Sequence, residues 1–267
     1  MSPASGPAPA VSVVIPVKDD RAELESCLAA LAVQTRRPDE VIVVDNGSSD
    51  GSAEIARRAG AIVVHCATPG IPAASAAGYD RASGEVILRL DADCRPDRSW
   101  VEACLAALAA RPDVVACSGG ARFVDGPWLL RRPLAAAYLG AYAAATIPAL
   151  GHRPLFGSNL ALRREAWQRI RAAVHRCDAE LHDDLDLAFH VGLQGRIGSV
   201  PARTMGISMR PFRSARGFAR RTRRGLRTVV RHWPADFPPL RWVRLAVSRH
   251  LLGPRPLPSA RARAVAR

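Results

Sequence analysis

The sequence predicts an α/β fold in which a mainly parallel sheet is sandwiched by helices. Three observations carry that prediction: short β-branched runs, apolar residues at helical spacing between them, and acidic clusters directly after the runs. Val11-Ser-Val-Val-Ile-Pro16 is the first strand, Leu24, Leu28, Leu31 and Ala32 mark a helix, and Val41-Ile-Val-Val44 is a second buried-type strand. A helix over 52–59 closed by Gly60, a strand at 62–64 and a helix over 73–82 ended by Gly84 follow. Next come strand Val86-Ile-Leu-Arg-Leu90, helix 100–110 and strand Val114-Val-Ala-Cys117. Strands alternating with helices of this length imply a parallel sheet covered on both faces, which binds ligands at the carboxyl ends of its strands.

Beyond residue 120 the pattern loosens. An Ala-rich stretch from Pro133 to Leu150 approaches the length of a membrane span. Ala is weakly apolar and two prolines, Pro133 and Pro148, bound the stretch, so a helix packed on the body is expected. A strand at 159–163, a helix from Glu165, an amphipathic helix after Asp183 and a short strand at 197–200 complete the body. The reading divides the chain into a flexible leader (1–10), a main domain (11–212, with halves 11–120 and 121–212) and a basic helical extension (213–267).

The 267 residues are 48% hydrophobic and 23% charged, which suits a sizeable core and excludes a disordered chain, a collagen or a disulfide miniprotein. Six cysteines (Cys27, Cys66, Cys94, Cys104, Cys117, Cys177) form no CxxC pair, and no signal-like segment opens the chain. Buried thiols in a reducing cytoplasm are expected. The net charge of +14 is unevenly placed: residues 1–200 hold 21 Lys+Arg against 23 Asp+Glu, whereas 201–267 hold 17 Arg against the single acid Asp236. A basic tail on a near-neutral body points to an anionic partner. Aromatic residues are few, and its arginines are interleaved with Phe218, Leu226, Trp233, Leu240 and Trp242 in a pattern that reads as an amphipathic surface rather than a base-stacking platform. That favours an anionic membrane surface, hence a peripheral position at the inner face of the cell membrane, and weighs against nucleic acid.

Four constellations sit where chemistry is expected. Asp19 and Asp20 follow the first strand, where they either cap the next helix or stand beside a ligand. Asp45 ends the second strand after four apolar residues, a position that is costly without a hydrogen-bonding partner. Asp91 and Asp93 flank one residue after strand 86–90; like charges so close repel unless a cation intervenes, and such oxygen donors suit Mg²⁺ or Mn²⁺. In His182-Asp-Asp-Leu-Asp-Leu187 the acids either simply favour a helix start or supply a base to an acceptor.

Together, Val11-Ser-Val-Val-Ile-Pro16, Val43-Val-Asp-Asn-Gly-Ser-Ser-Asp50, Gly84-Glu85 leading into Leu90-Asp-Ala-Asp93, Gly157-Ser-Asn159 and Asp183-Asp-Leu-Asp-Leu187 resemble the family 2 glycosyltransferases of GT-A fold, over roughly residues 10–212. The resemblance implies metal-dependent transfer of one sugar, with inversion, from a nucleotide-sugar donor, UDP-linked for preference, to a hydroxyl acceptor; a tail seated on a membrane would favour a lipid-linked one. It implies that Pro16, Val17, Asp19 and Asp45 line the base site and that Asp91 holds ribose or metal. By the same resemblance Asp93 ligates Mg²⁺ or Mn²⁺ in a DxD motif and Asp184 is the base. Asp183 orients Asp184, with Asp186, Gly157 and Asn159 in support. Three departures stand out: Ser75-Ala76 replaces an Arg-Asn pair, Asn46 replaces a second Asp, and Ile207-Ser-Met-Arg210 lacks a histidine ligand. The absence of Gln-x-x-Arg-Trp argues against polymerisation. A nucleotidyltransferase would need a Gly-rich basic loop after the first strand, which Pro16-Val-Lys-Asp-Asp20 does not supply, and an oxidoreductase would need GxGxxG there. A degenerate enzyme that binds nucleic acid or membrane through its tail is the reading from another class.

Overall fold

The computed structural model describes residues 8–201, 205–212 and 214–251. Most of the leader and the last sixteen residues of the basic extension lie outside the described residues.

A seven-stranded sheet forms from β1 (Val11–Val17), β2 (Glu40–Asp45), β3 (Ile62–His65), β4 (Val86–Arg89), β6 (Val114–Gly119), β8 (Leu160–Arg163) and β9 (Arg196–Val200), in the order β3-β2-β1-β4-β8-β6-β9. All neighbouring pairs are parallel except those of β8, which runs antiparallel to both β4 and β6. The sheet is therefore mainly parallel, as expected, with one reversed strand that apolar periodicity alone could not orient.

Alternation along β1 divides the core. Val11, Val13 and Ile15 pack with Leu24, Leu28 and Leu31 of α1 (Arg21–Ala32) and with Trp100, Cys104 and Leu108 of α4 (Trp100–Ala109). Val14 faces the opposite layer with Tyr79 of α3 (Ile71–Arg81), Trp167 of α6 (Arg164–Ile170) and Phe189 of α7 (Asp183–Val191). Helix α3 approaches β1 closely because position 78 is glycine; a Cβ there would lie 2.3 Å from Val14 Cγ1. Short helix α2 (Ser52–Arg58) covers the β2–β3 side.

Two-residue strands β5 (Arg95–Pro96) and β7 (Arg122–Phe123) flank β10 (Met205–Ile207) in a second, three-stranded sheet. Strands so short leave no periodic trace, and the sequence did not reveal them. Their effect is to fasten the segment just after Asp93 to the segment just before Arg210.

Helix α5 spans Arg131–Leu150 and includes both prolines expected to bound it. Pro133 sits in the first turn, where the missing N–H has no intrahelical acceptor, and Pro148 sits in the last, where little helix remains to be broken. Among the described residues α5 alone is long and apolar enough to cross a membrane. One side of it is nevertheless held on the body through buried Ala135, Thr146, Ala149 and Leu150, and the Tyr142 hydroxyl donates to Leu155 O. The tail forms α8 (Ala215–Arg231) and α9 (Pro238–Leu251). Thr228 Oγ1 accepts from His182 N, and buried Arg241 donates to Leu150 O and Phe189 O, so both helices are anchored on the body. Of the six free cysteines four are buried; Cys66 is half-buried and Cys177 exposed, which corrects the expectation for those two.

Candidate active site

Arg89, the last residue of β4, faces the α3/α7 layer and is 2% exposed. A guanidinium in that position must find anions. It finds three: Nη1 lies 2.6 Å from Asp184 Oδ1, and Nη2 lies 2.8 Å from Asp91 Oδ1 and 3.3 Å from Asp183 Oδ2. The cation needed near Asp91 is thus supplied in part by the protein itself. Arg89 escaped the sequence reading, yet its signal was present, a lone cation inside an otherwise apolar strand.

The 3₁₀ turn Gly157–Asn159 closes the site from the other side. Gly157 N donates to Asp184 Oδ2 at 2.7 Å, and the Ser158 hydroxyl donates to Asp91 Oδ2. A Cβ on residue 157 would stand 1.1 Å from Arg89 Nη1 and 2.2 Å from Asp184 Oδ1, so only glycine admits this arrangement. Burial and the adjacent Asp183 charge raise the Asp184 pKa, against the pull of Arg89. The Ser75 hydroxyl, which stands where the resemblance expects Arg-Asn, donates to Asp183 Oδ2 at 3.3 Å. A cleft lined by Ser75, Ala76, Tyr79, Trp167, Asp183 and Asp186 opens beside it.

Asp93 occupies the next position along. Burial and the Asp91 charge push its pKa up to about 6, opposed by Arg210 Nη1 at 3.8 Å from its Oδ2. Arg210, in the stretch where the resemblance expects a histidine, also forms a two-pronged pair with Asp20 at 2.5 and 2.6 Å. The Asp91, Asp93 and Cys94 ligand atoms lie within 4.8 Å of one another. Burial holds the Cys94 thiol well above its ordinary pKa, which leaves the two carboxylates as donors. Both side chains reach solvent, so hard oxygen donors stand at an accessible position, and the set fits Mg²⁺ or Mn²⁺.

The other expected residues divide. Pro16 and Val17 pair with Val44 and Asp45 across β1 and β2, which places their strand ends beside that of β4. Asp45 is buried and has partners in Ser48 N at 2.9 Å and His65 Nδ1 at 3.2 Å. Asp19 accepts from Ser49 N and Ser49 Oγ at a positive φ of 50°, locking the loops after β1 and β2 together. Asp20 holds the N-cap position of α1 without a side-chain cap bond. Asn159 is fully buried, accepting from Trp100 Nε1 and donating to Gly120 O, so it braces the turn from beneath. Asp186 corrects the expectation that it supports Asp184. It lies two residues further along α7, about 200° around a helix of about 3.6 residues per turn, and faces His175, His190 and His232.

Residues 12–171 match the sequence model of glycosyl transferase family 2. The chain is 39% identical over 102 residues to glycosyltransferase AglE of Haloferax volcanii, an alignment covering 35% of this chain and 34% of that protein. It is also 39% identical over 93 residues to an undecaprenyl-phosphate 4-deoxy-4-formamido-L-arabinose transferase of Aeromonas hydrophila, covering 31% and 28%. The chain thus spans about a third of the length of these curated relatives. Among solved structures it is similar to glucosyl-3-phosphoglycerate synthase from Mycobacterium tuberculosis in complex with Mg²⁺ and UDP, with a TM-score of 0.61 at 20% identity over 84% of this chain and 79% of that one. The complex of the same synthase with Mn²⁺, UDP-glucose and phosphoglyceric acid superposes with a TM-score of 0.60 at 21% identity, again over 84% and 79%. The fold is the GT-A type.

Proposed function

The chain belongs to glycosyl transferase family 2, and on that premise we propose that it moves one sugar, with inversion, from a UDP-linked donor to a hydroxyl acceptor carried on a lipid. The observation that carries this reading is the joining of Asp91, Asp183 and Asp184 through the buried guanidinium of Arg89. It puts a candidate base beside the carboxylates at the sheet's ligand-binding edge.

In this mechanism Pro16, Val17, Asp19 and Asp45 border the nucleoside at the ends of β1 and β2. Asp93, with Asp91, would hold Mg²⁺ or Mn²⁺, which when bound offsets the charge of the diphosphate and makes it a better leaving group. Arg89 and Gly157 N fix the Asp184 carboxylate in one orientation, and burial makes it more basic than an ordinary aspartate. Asp184 takes the proton of the acceptor hydroxyl as that oxygen attacks the anomeric carbon, while the bond from that carbon to the diphosphate oxygen breaks and UDP leaves with its electron pair. Asp183, on the same guanidinium and on Ser75, orients it.

The lipid-borne acceptor rests on the undecaprenyl-phosphate in the name of the Aeromonas hydrophila relative and on the outer surface of the tail. Phe218, Leu226 and Val230 of α8, Trp233, and Leu240, Trp242, Val243 and Val247 of α9 are exposed, interleaved with outward arginines such as Arg216 and Arg220. Such a surface seats at the inner, anionic face of a membrane, each engaged arginine contributing about 1 kcal/mol.

Calorimetry and flotation test the reading. Asp93→Ala should abolish Mn²⁺-dependent binding of UDP-sugars, and unchanged affinity in that variant would refute the donor site. Flotation should require anionic vesicles, weaken with salt and fall in Arg216→Glu/Arg220→Glu; equal recovery with neutral vesicles would refute the membrane seat.

A further inference from the structure

The back of α7 carries a second polar cluster that sugar transfer does not use. Asp186 is 5% exposed, and its Oδ1 lies 2.7 Å from His175 Nδ1, 3.0 Å from His232 Nε2 and 3.7 Å from His190 Nε2. The ligand atoms of all four side chains fall within 4.8 Å of one another. They come from three separate stretches. Asp186 and His190 stand four residues apart on one face of α7, His175 lies in the segment after α6, and His232 caps the C-terminus of α8.

Three features fit a metal better than a simple ion pair. An ion pair joins one carboxylate to one imidazole, yet three imidazoles converge on the single carboxylate of Asp186. His190 Nε2 is buried without a hydrogen-bond partner, although it is directed toward the cluster. The outer contacts resemble the supports that orient metal-bound groups. His175 N donates to Asp186 Oδ2 at 2.9 Å, and on the far side of the His232 ring Nδ1 faces Asp236 Oδ2 at 3.6 Å. Asp236 is itself held by Arg241 and Arg244, each at 3.0 Å.

We propose that His175, Asp186, His190 and His232 form a Zn²⁺ site that ties α7 to α8 and to the segment after α6. Three imidazoles and one carboxylate are the donor set of a borderline ion that takes four ligands, whereas Mg²⁺ would demand more oxygen. Four protein ligands close the coordination shell, so the ion is structural. Its place is on α7, about 200° around the helix from Asp184, and it depends on no reading of the transfer chemistry.

The test uses the untagged full chain, purified without chelator, with metal content measured by plasma mass spectrometry and the thermal midpoint followed on metal removal. One Zn²⁺ per chain is expected, retained in Asp93→Ala and lost in His175→Gln/His190→Gln. Removing Zn²⁺ should lower the midpoint of the native chain and leave that of the double variant unmoved. Co²⁺ added to the metal-free native chain should give the intense visible absorption of a four-coordinate ion. That measurement decides the matter even if the double variant misfolds. A native chain that holds no Zn²⁺ after exposure to excess, Zn²⁺ retained in the folded double variant, or a weak six-coordinate Co²⁺ spectrum would each overturn the site.

Discussion

The two faces of α7 carry acids of one short run into opposite surroundings. Asp184 and Asp186, about 200° apart around the helix, are the two extremes: Asp184, with Asp183 beside it, shares a permanently charged guanidinium, while Asp186 turns toward three imidazoles. The difference shows in the acids themselves: burial and a neighbouring carboxylate raise the Asp184 pKa, whereas Asp186, despite its burial, is held far below the ordinary range by the three histidines around it, two of which hydrogen-bond it. Residue type and sequence proximity do not assign a role; helical phase does. An acid meant to exchange a proton belongs on the first face, and one meant to stay ionised belongs on the second.

Removing the shared cation should break this comparison most severely. Arg89→Met leaves buried carboxylates uncompensated and is expected to cost about 3–5 kcal/mol in urea unfolding. A loss below about 1 kcal/mol would mean that the acids do not rely on Arg89. Turnover separates the faces directly. Asp184→Asn should lower it roughly 10²-fold or more with donor affinity retained, whereas Asp186→Asn should act mainly on stability. Equal losses of turnover would erase the distinction, and a normal rate in Asp184→Asn would move the base to Asp183.

Smaller changes sharpen the picture. Gly157→Ala must push Arg89 or the turn aside, for an expected loss of about 1–3 kcal/mol together with reduced turnover, and a fully active variant would show that the close approach is dispensable. Trp100→Phe leaves Asn159 Oδ1 buried without its donor and should cost about 1–3 kcal/mol with a lesser effect on rate. Arg210→Gln breaks a partly exposed pair with Asp20, worth at most about 1 kcal/mol, while raising the demand for a cation at Asp93. Its signature is therefore a changed metal requirement at nearly unchanged stability, checked by Mn²⁺ titration.

How much of this was legible beforehand follows from the range of the interactions involved. Apolar period and turn residues are local, so strands 11–16, 41–44 and 86–90, the helices between them, and the carboxylates waiting at strand ends could be read from the sequence. The acidic start of α7 could be read too, since its charges stand beside a helical pattern. Strand direction was not local: β8 reverses because it is reached through α5 and the 157–159 turn, and nothing within residues 160–163 encodes that. Nor was pairing local, since Arg89 meets Asp184 across 95 residues, Arg210 meets Asp20 across 190 and His232 meets Asp186 across 46. The sequence by itself determined which residues must be buried and which buried charges would need partners, because solvation acts on each residue alone. Only the tertiary structure decided who those partners are, because a charge is satisfied by whatever packing brings within about 3 Å, and that is a property of the whole fold.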